Sequence, residues 1–124
     1  MIYLDTHIVV WLYAGLVDRF SPALQALINQ NELRISPIVG LELQYLAEIQ
    51  RVTAGADAIL ADLSQRIGLT LCDRPFAGVV SQALTLAWTR DPFDRLIVAQ
   101  AALHGDVLIS KDQQILANYA HARW

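Results

Sequence analysis

Leu33-Arg34-Ile35-Ser36-Pro37-Ile38-Val39-Gly40-Leu41-Glu42 passes from a short aliphatic run directly into a helix start. Leu33–Ile35 has the length and side chains of a buried strand. Ser36-Pro37 supplies an N-cap and then a proline at the first helical position, where its fixed φ suits the helix and its missing N–H costs nothing. A strand leading straight into a helix is the repeating unit of a parallel sheet covered by helices. Ser21-Pro22 and Asp91-Pro92 repeat the punctuation, and Asp73-Arg74-Pro75 is a looser version. Helices are expected over about 22–30, 37–52, 75–88 and 92–104, with a first over 6–14 closed near Gly15 and another over 54–67 up to Gly68. Strands are expected at Ile2–Leu4, Leu33–Ile35, Leu69–Leu71 and Val107–Ile109, with a short fifth near Ala122–Trp124. The pattern predicts an α/β fold.

At 124 residues the chain, 1–124, is expected to be one domain that buries a core without disulfides or a structural metal. The single cysteine, Cys72, excludes an internal disulfide, and no Cys/His spacing resembles a zinc site, so a reducing, cytoplasmic compartment is expected. The longest apolar run, Ile8–Val17, has ten residues, about half of the ~20 that a membrane span needs. Asp5 precedes it and no Lys or Arg does, so it does not read as a signal peptide. A buried helix and no membrane association are expected. Twelve acids against nine bases give a net charge of −3, without the basic excess typical of a phosphate binder. Setting four acids aside as metal ligands leaves eight against nine, so the remainder is near neutral. Charged residues make up only 17% and apolar ones 55%, against roughly 25% charged in an average domain. So much apolar surface on a small chain predicts a protein partner.

In an open parallel sheet, ligands gather beyond the carboxyl ends of the strands. Asp5 directly follows Ile2–Leu4, and Asp112 follows Val107–Ile109 after Ser110-Lys111. Glu42 is the most informative acid. Its neighbours three and four residues away are Ile38, Val39, Tyr45 and Leu46, all apolar, while the solvated stripe of its helix is Gln44, Glu48 and Arg51. A carboxylate among apolar side chains is costly unless it is paired, bound to metal or able to reach water. Gly40, one turn earlier, leaves room there for a close approach. Asp91 is a plausible N-cap and Asp94 sits at the third helical position, where the helix dipole favours an anion; Asp112 could equally cap a helix around 113–119. Asp5 could cap the first helix, although Thr6 is available for that. Jointly, Asp5, Glu42, Asp94 and Asp112 occupy loci that a parallel sheet can bring to one edge. Four carboxylates held together repel unless cations neutralise them. Mg²⁺ suits such a site, because it accepts oxygen ligands and keeps waters and substrate phosphate in its remaining positions.

Tyr3-Leu4-Asp5-Thr6-His7, Ser36 with Glu42 six residues on, Asp91-Pro92-Phe93-Asp94-Arg95-Leu96-Ile97-Val98-Ala99-Gln100-Ala101 and Leu108-Ile109-Ser110-Lys111-Asp112 together resemble a PIN domain, in particular the VapC-type toxins of toxin–antitoxin pairs. The motifs span the whole chain in the family's order. The resemblance implies a three-layer α/β/α fold around a central, mainly parallel sheet of four or five strands. It also implies Mg²⁺ or Mn²⁺ dependence, endonucleolytic cleavage of RNA, a homodimer, and a cognate antitoxin that blocks the site. Asp5, Glu42, Asp94 and Asp112 fall on the family's acidic positions and Ser110 on its small hydroxyl position. Asp5 and Asp94 are expected as direct metal ligands, with Glu42 and Asp112 ligating or orienting water. Thr6, Asp91, Arg95 and Ser110 are expected to support the acids or the substrate.

Arg90, Arg95 and Lys111 flank the acids and are candidates to hold phosphate oxygens, or are simply solvated. His7, His104 and His121 have neither metal spacing nor a nucleophile to serve. Trp11, Trp88 and Trp124 could stack bases but are expected in the core or an interface. A phosphotransfer receiver would need paired acids after the first strand, and a haloacid-dehalogenase-like phosphatase an acid where His7 stands. A non-catalytic domain of the same fold, or a housekeeping RNA-processing nuclease, are the remaining alternatives.

Overall fold

In the computed structural model, which describes residues 1–124, β1 (Ile2–Leu4) leads into α1 (Thr6–Ala14), a 3-10 turn (Val17–Arg19) and α2 (Pro22–Gln30). β2 (Leu33–Ile35), α3 (Pro37–Glu48), α4 (Ala56–Ile67) and β3 (Thr70–Leu71) follow. The chain continues through α5 (Phe76–Ala83), α6 (Pro92–Ala102), β4 (Val107–Ile109), α7 (Gln113–Asn118) and β5 (Ala122–Arg123). The caps do their expected work. Ser21 Oγ accepts from the Leu24 N–H at 3.2 Å and Ser36 Oγ from the Ile38 N–H at 3.3 Å. Asp91 Oδ1 accepts from the N–H groups of Phe93 and Asp94, at 2.8 and 3.4 Å.

The five strands are all parallel, in the order β3-β2-β1-β4-β5, and helices cover both faces in a three-layer α/β/α arrangement. β1 is central and wholly buried, with Ile2 opposite Leu33 on one side and Val107 on the other. Leu4, Ile35, Leu43, Leu63, Ile97 and Ile109, none more than 2% exposed, join sheet to helices. Each such side chain contributes roughly 1.5–3 kcal/mol of burial. The chain winds outward from β1 through β2 to β3, then crosses back to start β4 on the other side of β1. That reversal makes the β1/β4 pair the switch point of the sheet, where connections leaving the carboxyl ends diverge and open a crevice. No helix is long and apolar enough to cross a membrane.

Four local expectations need correction. The apolar run Ile8–Val17 is not one buried helix: Gly15, at φ 73°, ends α1, and Leu16 and Val17 lie exposed beyond it. α3 stops at Glu48 rather than near 52. Gln50 takes the left-handed conformation, φ 62°, with its N–H on Ala47 O at 3.0 Å and the Arg51 N–H on Leu46 O at 2.8 Å. These two bonds form a Schellman cap in which a glutamine replaces the usual glycine, so the stop carries no sequence signal. α5 runs from Phe76 only to Ala83. The Thr85 and Leu86 N–H groups turn to carbonyls three residues back, both at 3.1 Å, and Thr85 Oγ1 donates to Gln82 O at 2.7 Å. The hydroxyl competes with the helical ladder and tightens its last turn. Gly40 makes room for α4 rather than for a ligand, since a Cβ there would touch Leu60 at 3.6 Å.

The Gln50 cap yields a first prediction. A left-handed conformation costs an L-residue about 1–2 kcal/mol, and glycine's greater unfolded-state freedom cancels part of the relief. Gln50→Gly should therefore raise stability by about 0.5–1 kcal/mol, read as a higher urea midpoint at unchanged slope. A lower midpoint would mean that the Gln50 side chain holds the loop after α3 in place.

Candidate active site

Asp5, Glu42, Asp91, Asp94 and Asp112 line one cleft of about 420 Å³, together with His7, Trp11 and Lys111. The cleft opens at the β1/β4 switch point. β1 delivers Asp5 to the sheet edge, where its N–H donates to Ile109 O at 3.0 Å. α3 brings in Glu42, the start of α6 brings Asp91 and Asp94, and the turn after β4 brings Asp112. Two caps have a share in this. Asp91 and Asp112 sit at the N-cap positions of α6 and α7, so each is fixed by backbone N–H groups at the cleft wall.

The acids are held by hydroxyls as well. Asp5, 8% exposed, accepts from the Thr6 N–H at 2.7 Å on one carboxylate oxygen and from Ser110 Oγ at 2.7 Å on the other. Ser110 Oγ in turn accepts from the Asp112 N–H at 3.1 Å. Thr6 is fully buried, and its hydroxyl donates to Glu42 Oε1. The capping roles are thus the reverse of the expected ones: Asp5 occupies the N-cap of α1, and Thr6 serves Glu42.

Burial raises all three inner carboxyls. For Asp5, loss of solvent is the main cause, and the hydrogen bonds from Ser110 and Thr6 partly offset it. Glu42 is raised by burial, offset by the Thr6 bond and raised further by Asp5 and Asp91. Asp94 is pushed up to about 7, by burial first and then by Asp91, Asp5, Asp112 and Glu42. No hydrogen bond or ion pair relieves it. A half-buried carboxyl facing four others marks a site short of positive charge.

A divalent cation fits this donor set. All five acids offer hard oxygen ligands, and Lys111 is the only Lys or Arg lining the cleft. No three side chains stand where they would chelate an ion by themselves. That arrangement matches Mg²⁺, which is held by one or two carboxylates and keeps its other positions for water and phosphate.

Residues 2–122 match the PIN domain family. The chain belongs to the PIN-domain family. It is 32% identical over 127 residues to Ribonuclease VapC22 of Mycobacterium tuberculosis (strain ATCC 25618 / H37Rv), covering 98% of this chain and 94% of that protein. This PIN domain is therefore of the VapC type. Its fold is shared with the structure of VapBC2 from Rickettsia felis bound to a DNA fragment from their promoter (TM-score 0.70, 21% identity, 100% of this chain and 99% of the other). It is also shared with a toxin–antitoxin complex from Klebsiella pneumoniae (TM-score 0.65, 17% identity, 100% and 97%) and with VapBC-1 from nontypeable Haemophilus influenzae (TM-score 0.57, 21% identity, 100% and 96%).

Not every flanking residue of this PIN domain reaches the cleft. Arg95 is half-buried and outside the lining, with its Nε donating to Thr89 O at 2.8 Å, so it braces the loop before α6 instead of facing substrate. Arg90 likewise points its guanidinium at Ala87 O, 3.3 Å away. His104 and His121 lie outside the cleft, and Trp88 packs against the core. His7 and Trp11 do line it, although Trp11 also packs against the core as expected. Their spacing held the signal. In α1, residues 7 and 11 are one turn apart and share a helix face, and that face begins beside Asp5.

Proposed function

We propose that this PIN domain is an endoribonuclease dependent on Mg²⁺ or Mn²⁺, the toxin of a toxin–antitoxin pair acting in the cytoplasm, with residues 1–124 working as one nuclease domain. One observation carries the reading: five carboxylates meet at the switch point of a parallel sheet with a single cationic side chain among them. The relative named as a ribonuclease and the toxin–antitoxin complexes of the same fold support it.

Asp5 and Asp94 would hold the ion, and Glu42 and Asp112 would hold the water around it. When bound, the ion neutralises the acids, acidifies a water and withdraws charge from a phosphate oxygen. The chain's own residues do the positioning. Ser110 fixes the rotation of the Asp5 carboxylate, and Thr6 fixes that of Glu42, so the cleft wall is set before substrate arrives. Glu42 and Asp112 accept hydrogen bonds from the attacking water and turn a lone pair toward phosphorus. Asp91 caps α6 and so places Asp94. Incubating the purified chain with total RNA tests the reading. Internal cleavage should require Mg²⁺ or Mn²⁺ and stop with EDTA; intact RNA in both tubes would overturn it.

The partners we propose are a second copy of the chain and a cognate antitoxin. Leu41 and Tyr45 of α3 and its C-cap Ile49 stand 58%, 50% and 44% exposed along one ridge, and Phe76 and Val80 of α5 and its C-cap Leu84 stand 54%, 37% and 73% exposed along another. Both ridges repeat every four residues, as a helix face meant for another surface does. Pairing like ridges about a two-fold axis would bury them against their own copy. The antitoxin would lay an amphipathic segment on remaining apolar surface and bring a basic side chain to the acids. Light scattering at micromolar concentration should give twice the 13.8 kDa chain mass. A stable monomer, or an unchanged dimer on Leu41→Glu with Tyr45→Glu, would count against the α3 ridge as the interface.

A further inference from the structure

A ribonuclease of net charge −3 must receive a polyanion at a cleft that is itself acidic. Of the nine basic residues, three are held in ion pairs, and Arg90, Arg95 and Arg123 donate to backbone carbonyls. Arg34 pairs with Glu32 and Asp73, Arg66 with Asp62 and Arg74 with Asp106. Lys111 is different. It lines the cleft with five carboxylates yet forms an ion pair with none of them. Its ammonium lies over the ring of Trp11, 5.3 Å from the centroid, and the Arg19 guanidinium lies over the same ring at 4.9 Å. Trp11 itself lines the cleft. The ring attracts both cations and gives Lys111 a resting place at the rim, beside the acids but not paired with them.

A second aromatic extends the feature. The Trp124 ring lies 5.6 Å from that of Trp11, tilted by 56°, and is 41% exposed. Buried Phe20 supports both rings, at 6.2 Å from Trp11 and 5.9 Å from Trp124. The pairing of β4 with β5 sets Ile109 opposite Arg123, so Lys111 and Trp124 leave the sheet at the same edge. Cations and an open aromatic face therefore run from the acidic cleft toward β5.

We propose that this edge is the lead-in for substrate: single-stranded RNA crosses Trp11, sets its phosphates on Lys111 and Arg19, and stacks one base on Trp124. The inference rests on the ribonuclease reading and adds to it where the strand lies. Single-stranded nucleic acid is bound by aromatic faces set among cations, because every base has a face to stack and its backbone follows the charge. A duplex keeps its bases inside and gains nothing from Trp124. Trp11 is a positioning residue in this scheme, acting through the two cations it holds.

The test is fluorescence anisotropy of a labelled, randomised single-stranded RNA 12-mer, with EDTA present so that binding is read without cutting. Lys111→Met and Trp124→Ala should each raise Kd about tenfold, while Lys111→Arg stays near wild type. Arg19→Met should also weaken binding. Each lost cation should make the slope of log K against log salt shallower by about 0.7. A duplex of the same length should bind more weakly than the single strand. Melting curves establish that each variant is folded, and Arg19 and Lys111 are exposed positions where the change leaves the core intact. Wild-type affinity and an unchanged salt slope in Lys111→Met and Arg19→Met would overturn the lead-in, even if wild-type protein cuts RNA with Mg²⁺. A wild-type chain that neither binds nor cuts RNA would instead remove the ribonuclease reading, and the lead-in with it.

Discussion

Asp94→Asn should give a folded protein whose RNA cleavage has fallen at least a hundredfold, since losing even an outer support of a metal site typically costs 10–100-fold. The carboxyl of Asp94 sits in the first turn of α6, half-buried, facing four other acids and bonded to none. Neutralising it removes repulsion, so the metal-free variant should melt higher than wild type while its activity disappears. Asp5→Asn should lose activity to a similar degree with a smaller gain in stability, because relief of the buried charge is offset by a lost hydrogen bond. Asp5 accepts from both Thr6 N–H and Ser110 Oγ, and an amide can present an oxygen to only one of them. One buried bond then goes unmade, at a cost of about 1–3 kcal/mol. A rate assay beside a melting curve separates the two cases. Wild-type cleavage by either variant would show the site assignment to be wrong.

The metal-free protein should lose stability as pH rises from about 4 to about 7, and a saturating divalent ion should reverse that loss. In the unfolded chain Asp94 releases its proton near its ordinary 3.8, whereas in the folded chain it holds it to about 7. Between those values the folded state binds more protons than the unfolded one, so each step up in pH favours unfolding, and above 7 the effect levels off. The raised values of Asp5 and Glu42 act in the same direction. A metal that binds only the folded, ionised carboxylates opposes all of this. At a hundredfold excess over Kd it adds about 2.7 kcal/mol, or roughly 10 °C for a chain of this size. The gain should be larger at pH 8 than at pH 5. Glu42→Gln keeps an acceptor for Thr6 but removes a charge, so it should stabilise the metal-free form and shrink the metal-induced rise. Melting temperatures that ignore both pH and metal would contradict a carboxylate cluster.

Features that rest on local chemistry were legible in the sequence. Ser21-Pro22, Ser36-Pro37 and Asp91-Pro92 place the starts of α2, α3 and α6 at the residue, because a hydroxyl or carboxylate and a proline act within one turn. Glu42 was detectable as an acid on an apolar helix face, and that face lies against Thr6 of α1. What depends on tertiary context was not. Nothing local announces that Gln50 adopts a left-handed conformation, and Thr85 ends α5 by a bond that many threonines do not make. The exchange of roles between Asp5 and Thr6 depends on Glu42 arriving from α3, thirty-six residues away. Arg95 was judged by its closeness in sequence to Asp94, but on a helix adjacent residues point about 100° apart, and Arg95 turns to Thr89. Trp11 and His7 were judged one at a time, and their shared face of α1 became informative only with the cleft beside it.

The Ser110–Asp5 hydrogen bond joins residues 105 positions apart, across a pairing of β1 with β4 that closes late in the chain. A growing polypeptide folds from its amino end as it is made. β1 can pair with β2 early, yet its other edge stays open, and neither Ser110 nor Asp112 exists until residues 107–112 have been synthesised and have left the ribosome. The nascent chain carries Asp5, Glu42 and Asp94 without the strand that gathers them. The cleft is complete only once β4 has closed the sheet. The order of the strands thus makes the acidic cleft one of the last features of the chain to form, set by topology alone.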